Sequence, residues 1–300
     1  MKQRTKNPMT TRTRLTQDSP GSLLSRRTFL GALSVAAVTP LTPLAAHAQR
    51  SAPSALPGGS QLPLRTTGLE HIGAVVPDVA AAGKFYARLF NPELHKEKAP
   101  PLRYYATLNP GYIALGSRAN APRAFFDHFC ALVEDYDAAA MTQELAAAGL
   151  PTGRFGIIPD PDGIGLQLLG VPGGLAKTTE PAGRIVADAP LVRPAGLEEV
   201  LLYVSDLERS LAFYRRFFGP EAGHESQHAW FKIRRTRLRL QAAPQGEPPR
   251  IDRIRVRVAP LQFDAVSREL SQLGAAIAAS EDGVLHLRDP VGLGIELRPI

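Results

Sequence analysis

The residues able to carry chemistry are few in kind. One cysteine, Cys130, occurs in 300 residues. That excludes an internal disulfide and every multi-cysteine zinc or iron–sulfur site, so a metal bound here must use histidine, carboxylate or amide ligands. Nothing around Cys130 in sequence lowers a thiol pKa, and it reads as a small pocket-lining or core residue, not a nucleophile. Tyr104, Tyr105 and Tyr112 fall in strand-like segments; a phenol there can donate a hydrogen bond to an oxyanion, and packing is its simpler role. His224 and His228 sit in an expected loop without a third ligand nearby and read as surface residues. Arginines alternate at Arg235, Arg237 and Arg239 and again at Arg253, Arg255 and Arg257, so each set shares one strand face. Such a face either receives an anionic ligand or pairs with glutamates. No catalytic acid or base stands out.

These residues sit on a duplicated frame. Sliding the chain on itself by 128 places Gly68-Leu69-Glu70 on Gly196-Leu197-Glu198, Asp78 on Asp206 and Phe85-Tyr86 on Phe213-Tyr214. An offset of 125 pairs Asp127 with Asp252, and an offset of 129 pairs Asp160-Pro161, Gly163 and Gly165 with Asp289-Pro290, Gly292 and Gly294. Small drifts in offset are what loop insertions produce, so the body is a tandem repeat of about 105 residues per copy. In the first copy His71 to Val76 reads as a strand, Pro77-Asp78 stops it, and Asp78 can cap a helix whose face carries Val79, Ala82, Phe85, Tyr86 and Leu89. Short strands follow over 103–108 and 112–115, then a second unit with a strand over 125–133, a helix over 136–148 and a closing strand over 164–169. The expected class is α+β, with four β-α-β-β-β modules forming two tandem domains at 66–172 and 194–300, joined by a linker at 173–193.

Leu69-Glu70-His71-Ile72-Gly73, Phe85-Tyr86, Leu89-Phe90 and Asp160-Pro161-Asp162-Gly163 resemble the vicinal oxygen chelate superfamily, which includes glyoxalase I, extradiol dioxygenases and bleomycin-resistance proteins. The resemblance covers residues 66–300. It implies open barrels made of paired modules, with metal ligands on the first and last strands of each module. Carried over by position, the first copy offers His71, Ala114, His128 and Gln167. Ala114 cannot ligate, so the four-ligand pattern of glyoxalase I is incomplete. His71, His128 and Gln167 resemble the two-histidine, one-carboxylate set of extradiol dioxygenases, with a neutral amide in place of the carboxylate. The implied cofactor is one divalent metal, Fe, Mn, Zn or Ni, and the implied partner a small oxygenated substrate. The second copy carries Glu199, Arg239, Arg253 and Glu296 at the same positions, a set that repels a cation, so no metal is expected there. The resemblance implies a metal-dependent dioxygenase-like or isomerase-like enzyme, or else a non-catalytic small-molecule-binding protein of the bleomycin-resistance kind.

Charge placement separates the two ends of the chain. Residues 1–48 hold seven basic residues (Lys2, Arg4, Lys6, Arg12, Arg14, Arg26, Arg27) and one acid, Asp18, leaving 28 basic against 27 acidic residues in the remainder. A nearly neutral body has no field to gather a phosphate backbone, so nucleic acid is not an expected partner. Ser25-Arg26-Arg27-Thr28-Phe29-Leu30, an uncharged stretch from Gly31 to Leu44, and Ala46-His47-Ala48 resemble a twin-arginine signal cleaved after Ala48. The resemblance implies the twin-arginine export machinery as a partner and a periplasmic destination. Residues 49–65, rich in Pro, Ser and Gly, read as a flexible leader.

Overall fold

The computed structural model describes residues 60–300 apart from 120, 122, 151 and 279–281; the expected signal and most of the leader lie outside the described residues. The first module runs β1 (Thr66–Val75), α1 (Val79–Leu89), β2 (Glu93–Glu97), β3 (Tyr104–Thr107) and β4 (Tyr112–Gly116), and the second β5 (Phe125–Val133), α2 (Ala138–Ala147), β6 (Ile157–Pro159) and β7 (Gly165–Gly170). The stretch expected as a linker contains α3 (Leu175–Thr178) and β8 (Thr179–Arg184), and β8 pairs with the edge of β2. The third module is β9 (Arg193–Val204), α4 (Leu207–Phe218), β10 (Gly223–Glu225), β11 (His228–Ile233) and β12 (Thr236–Ala242). The fourth is β13 (Arg250–Ala259), α5 (Phe263–Gln272), β14 (Ala276–Ile277), β15 (Leu285–Arg288) and β16 (Gly294–Pro299). His224 and His228 thus stand on a hairpin, not in a loop. Among the described residues no helix is long and apolar enough to cross a membrane.

Local sequence accounts for the helices. Asp78 accepts a hydrogen bond from the Ala81 N–H, and Asp206 does the same for Arg209 in the second copy, satisfying donors that a helix start leaves open. Phe85, Tyr86 and Leu89 on α1, and Leu211, Tyr214 and Phe217 on α4, are buried, which packs each helix onto the outer face of its sheet. Leu64 is buried too and its N–H bonds to the Phe217 carbonyl at 2.7 Å, so the last residues of the leader are anchored.

Each half is a curled sheet. In the first, β1 lies between parallel β4 and antiparallel β5, which continues to parallel β7. In the second, β9 lies between parallel β12 and antiparallel β13, which continues to parallel β16. The halves meet where β5 touches β13 at Phe126 and Ile251. A reciprocal pair of buried hydrogen bonds fastens them: the Tyr86 hydroxyl donates to Asp289 and the Tyr214 hydroxyl to Asp160, both at 2.9 Å. The other carboxylate oxygen of Asp160 takes the Asp162 and Ile164 N–H groups, and that of Asp289 takes those of Val291 and Leu293. The repeated Phe-Tyr and Asp-Pro motifs therefore complete one another across the junction.

Candidate metal centre

The inner face of the first half is read directly from strand register. One row crosses Tyr112, His71, Cys130, Gln167 and Ile157; the next crosses Ala114, Gly73, His128, Gly165 and Pro159. His71, His128, Cys130 and Gln167 share this face. Ala114 stands beside Gly73 and Tyr105 and contributes no ligating atom. Tyr105 and Tyr112 face inward, whereas Tyr104 lies against Gly83 of α1.

His128 leans toward His71 because its flanking strands give way. A Cβ on Gly73 would lie 2.2 Å from His128 Cε1, and one on Gly165 would lie 2.8 Å from His128 Cβ. With both absent, the two imidazoles cross nearly edge to face, and their Nε2 atoms come within 3.1 Å. His71 also stacks on the Tyr112 ring, centroids 4.8 Å apart.

Two β-bulges supply what alternation in sequence would not. Between Leu69 and His71, Glu70 is an extra residue opposite β5; between His128 and Phe126, Asp127 is an extra residue opposite β1. A bulge turns the extra side chain toward the face of its neighbour, so each histidine gains the carboxylate adjacent to it in sequence. Glu70 Oε2 lies 2.9 Å from His71 Nδ1 and also accepts from the Tyr112 hydroxyl at 3.1 Å, while Oε1 accepts from the Gly174 N–H at 2.9 Å. Asp127 Oδ2 lies 3.1 Å from His128 Nδ1, and Arg118 holds its other oxygen at 2.5 Å. Burial alone would raise both carboxyl pKa values, but these hydrogen bonds and the nearby positive charge outweigh it and lower them. Burial lowers the His71 pKa, against the pull of Glu70, so the ring is neutral.

The electrostatic outcome is specific. Ionised carboxylates only accept, so each Nδ1 carries a proton, and the two Nε2 atoms are turned toward each other. At 3.1 Å these nitrogens are close enough to share a proton in an N–H···N hydrogen bond or to flank a cation. Nitrogens about 2.1 Å from one divalent ion and subtending roughly 90° at it are about 3 Å apart, which fits this gap. Gln167 donates its amide to the Phe155 carbonyl at 3.0 Å, and its side chain lies within reach of His71. Glu70, His71 and Cys130 also form a compact buried trio. Both Glu70 oxygens are already taken, and burial pushes the Cys130 thiol well above its ordinary pKa; the donor set that fits an ion is His71, His128 and Gln167. The side chain of His128 is 15% exposed against 7% for His71, so access is from the His128 side. The Arg103 guanidinium lies 5.9 Å from the centre of the exposed Phe155 ring.

In the second half the equivalent positions hold Glu199, Arg239, Arg253 and Glu296, as the repeat implies. Arg255 and Arg253 reach Glu296 at 2.7 and 2.5 Å, and Arg237 reaches Glu199 at 3.5 Å. The same two bulges recur, leaving Glu198 and Asp252 as the extra residues. A cleft of about 620 Å³ opens at the junction of the halves, lined by Arg118, Phe125, Asp127, Asp162, Arg250 and Arg288 among others; it reaches Asp127 but neither histidine.

Fold and site together define a chain of two repeated α+β halves with one candidate metal centre among the described residues. Residues 196–297 match the model of the Glyoxalase/Bleomycin resistance protein/Dioxygenase superfamily. Solved structures with the same fold include catechol 2,3-dioxygenase (14% identity, 79% of this chain and 89% of that one, TM-score 0.58). They also include the Mn(II)-bound glyoxalase from Novosphingobium aromaticivorans (14%, 79% and 83%, 0.56) and the 2,3-dioxygenase LapB from Pseudomonas sp. KL28 (15%, 78% and 92%, 0.56). No curated protein matches the chain in sequence.

Proposed function

We propose that the protein is a metal-dependent enzyme of the superfamily whose model its second half matches, acting on a small oxygenated substrate with one divalent metal held by His71, His128 and Gln167. The observation that carries this reading is the pair of imidazoles, each held at Nδ1 by a carboxylate, whose Nε2 atoms converge to 3.1 Å on one strand face. All three ligands are neutral, and the charge of the ion is balanced at one remove by Glu70 and Asp127, whose hydrogen bonds also raise imidazole basicity. A metal there would supply Lewis acidity for vicinal substrate oxygens. The chain's own residues do the positioning: Tyr112 and the Gly174 amide hold Glu70, and Glu70 holds the His71 Nδ1 proton.

A second reading, a non-catalytic binding protein, is favoured by Gln167 and Ala114, which leave the ligand set without a carboxylate. Export through the twin-arginine route, with cleavage after Ala48, belongs to the proposal and rests on the residues of the first 48 positions.

Plasma mass spectrometry of the chain from Gln49 onward, purified anaerobically without a histidine tag, tests the reading. The expected result is a metal content near one per chain that is lost in His71→Ala and His128→Ala. Absence of metal after reconstitution with Fe, Mn, Ni and Zn overturns it and leaves a ligand-binding barrel, which would hold its ligand in the presence of a chelator.

A further inference from the structure

The inner face of the second half has more donors than acceptors. One row crosses Arg237, Glu199, Arg255, Glu296 and His286; the next crosses Arg239, Leu201, Arg253, Gly294 and Arg288. The second of these rows contains three arginines and no acid. Gly294 is what lets them close up, since a Cβ there would lie 2.8 Å from Arg253 Cβ and 2.9 Å from Arg288 Nη1.

The acids present are shared. Glu296 serves Arg253, Arg255 and His286, and Asp252 serves Arg250, Arg253 and Arg288. Arg239 has no ion pair among the described residues, and its Nε is buried without a hydrogen-bond partner. Each of these carboxylates is nearly fully buried, so the pairs do fill space. Filling alone does not account for a surplus, because a buried guanidinium nitrogen lacking an acceptor is costly and apolar residues would fill the same volume without that cost. Beside the arginine row lies a cavity of about 330 Å³, lined by Tyr203, Arg253, His286, Arg288 and Glu296 among others, within the size range of small-molecule sites. Arg239 and Arg253 occupy the register positions of Ala114 and His128, so fixed guanidinium groups stand where the first half presents an imidazole.

We propose that this face is a second binding site, for a small oxyanion whose carboxylate or phosphate oxygens are held by Arg253 and Arg288, which line the cavity, and by Arg239, which stands outside it in the same register row. Guanidinium groups bind such oxygens in a bidentate way and keep their charge at any physiological pH. The site is independent of the metal centre. It uses neither histidine of the first half.

Calorimetric titration of the full chain with inorganic phosphate and, separately, with oxalate tests it. The expected result is one site per chain with a Kd of about 1 mM or below for at least one probe, weakened about tenfold or more in Arg239→Gln and in Arg288→Gln. Neither substitution strips a carboxylate of all its partners, and an unchanged melting temperature in Arg239→Gln confirms that the fold is kept. The probe bound more tightly assigns the headgroup as phosphate or carboxylate. A His71→Ala/His128→Ala variant is expected to bind like the parent, which separates this site from an anion resting on a metal. No heat with either probe, binding that survives both arginine substitutions, or binding lost in the histidine variant would overturn the proposal.

Discussion

Glu70→Gln tests the chain of contacts that fixes the metal-facing nitrogen. In the parent, the Glu70 carboxylate accepts from His71 Nδ1 at 2.9 Å, Tyr112 at 3.1 Å and Gly174 at 2.9 Å. An amide of the same shape keeps one acceptor and gains donors. The Gly174 N–H needs that acceptor, so the new NH2 group faces His71, which must then accept at Nδ1 and carry its proton on Nε2. A protonated Nε2 can donate to His128, 3.1 Å away, so the variant has a consistent hydrogen-bond network and folds. It has lost the lone pair that would bind an ion. A hydrogen bond to a charged group contributes about 1.5–3 kcal/mol, which converts to roughly 10- to 150-fold in metal affinity at about 1.4 kcal/mol per decade. Competition against a chromophoric chelator measures the affinity, and the 15N shifts of His71 report which ring nitrogen is protonated. An affinity within about threefold of the parent, or an unchanged tautomer, would refute the reasoning.

Gly73→Ala places a methyl 2.2 Å from the His128 ring. Because the ring can swing aside, the expected cost in stability is modest, about 1–2 kcal/mol, while metal content falls sharply; chemical denaturation and metal analysis on one sample separate the two. Tyr86→Phe and Tyr214→Phe each leave a buried aspartate short of one donor, with an expected loss of about 1–3 kcal/mol apiece by urea unfolding; losses below about 0.3 kcal/mol would show the brace to be idle. Burial raises the pKa of Asp160 despite hydrogen bonds from Ile164, Tyr214 and Asp162. A group that holds its proton more tightly when folded stabilises at acid pH, and that contribution is lost as pH rises through the folded-state pKa. The stability of the parent relative to Asp160→Asn is therefore expected to fall with rising pH above the ordinary aspartate range, and a flat difference across pH 4–8 contradicts the assignment.

Periodicity carried the sequence reading far in some places and failed in others for a physical reason. The repeat located the strands and helices, period two put Cys130 on the face of His128, the family resemblance brought His71, His128 and Gln167 together, and Asp78 capped its helix as expected. Glu70 and Asp127 escaped because strict alternation sends them to the opposite face, and only the bulges bring them back. Their trace was nonetheless present: an acid precedes the site residue in both copies, at Glu70 and Glu198 and again at Asp127 and Asp252. Tyr86 with Tyr214, and Asp160 with Asp289, were visible as matched pairs. Their crossing from one half to the other was not, since a long-range exchange leaves no local signal. The strand β8 was hidden within a segment whose Pro and Gly content reads as a linker, and it forms by adding to the exposed edge of β2.

The crossed tyrosine–aspartate bonds also bear on how such a chain can diverge. A lone half would carry both an unmet tyrosine donor and an unmet aspartate acceptor, so two identical copies could satisfy each other about a two-fold axis. The tandem chain is in this sense a homodimer sewn into one polypeptide. In a true homodimer every substitution appears twice, and a change from imidazole to guanidinium would erase both centres together. Fusion removes that constraint: one half can keep its histidines while the other exchanges them for arginines, and the junction that holds both in place stays the same.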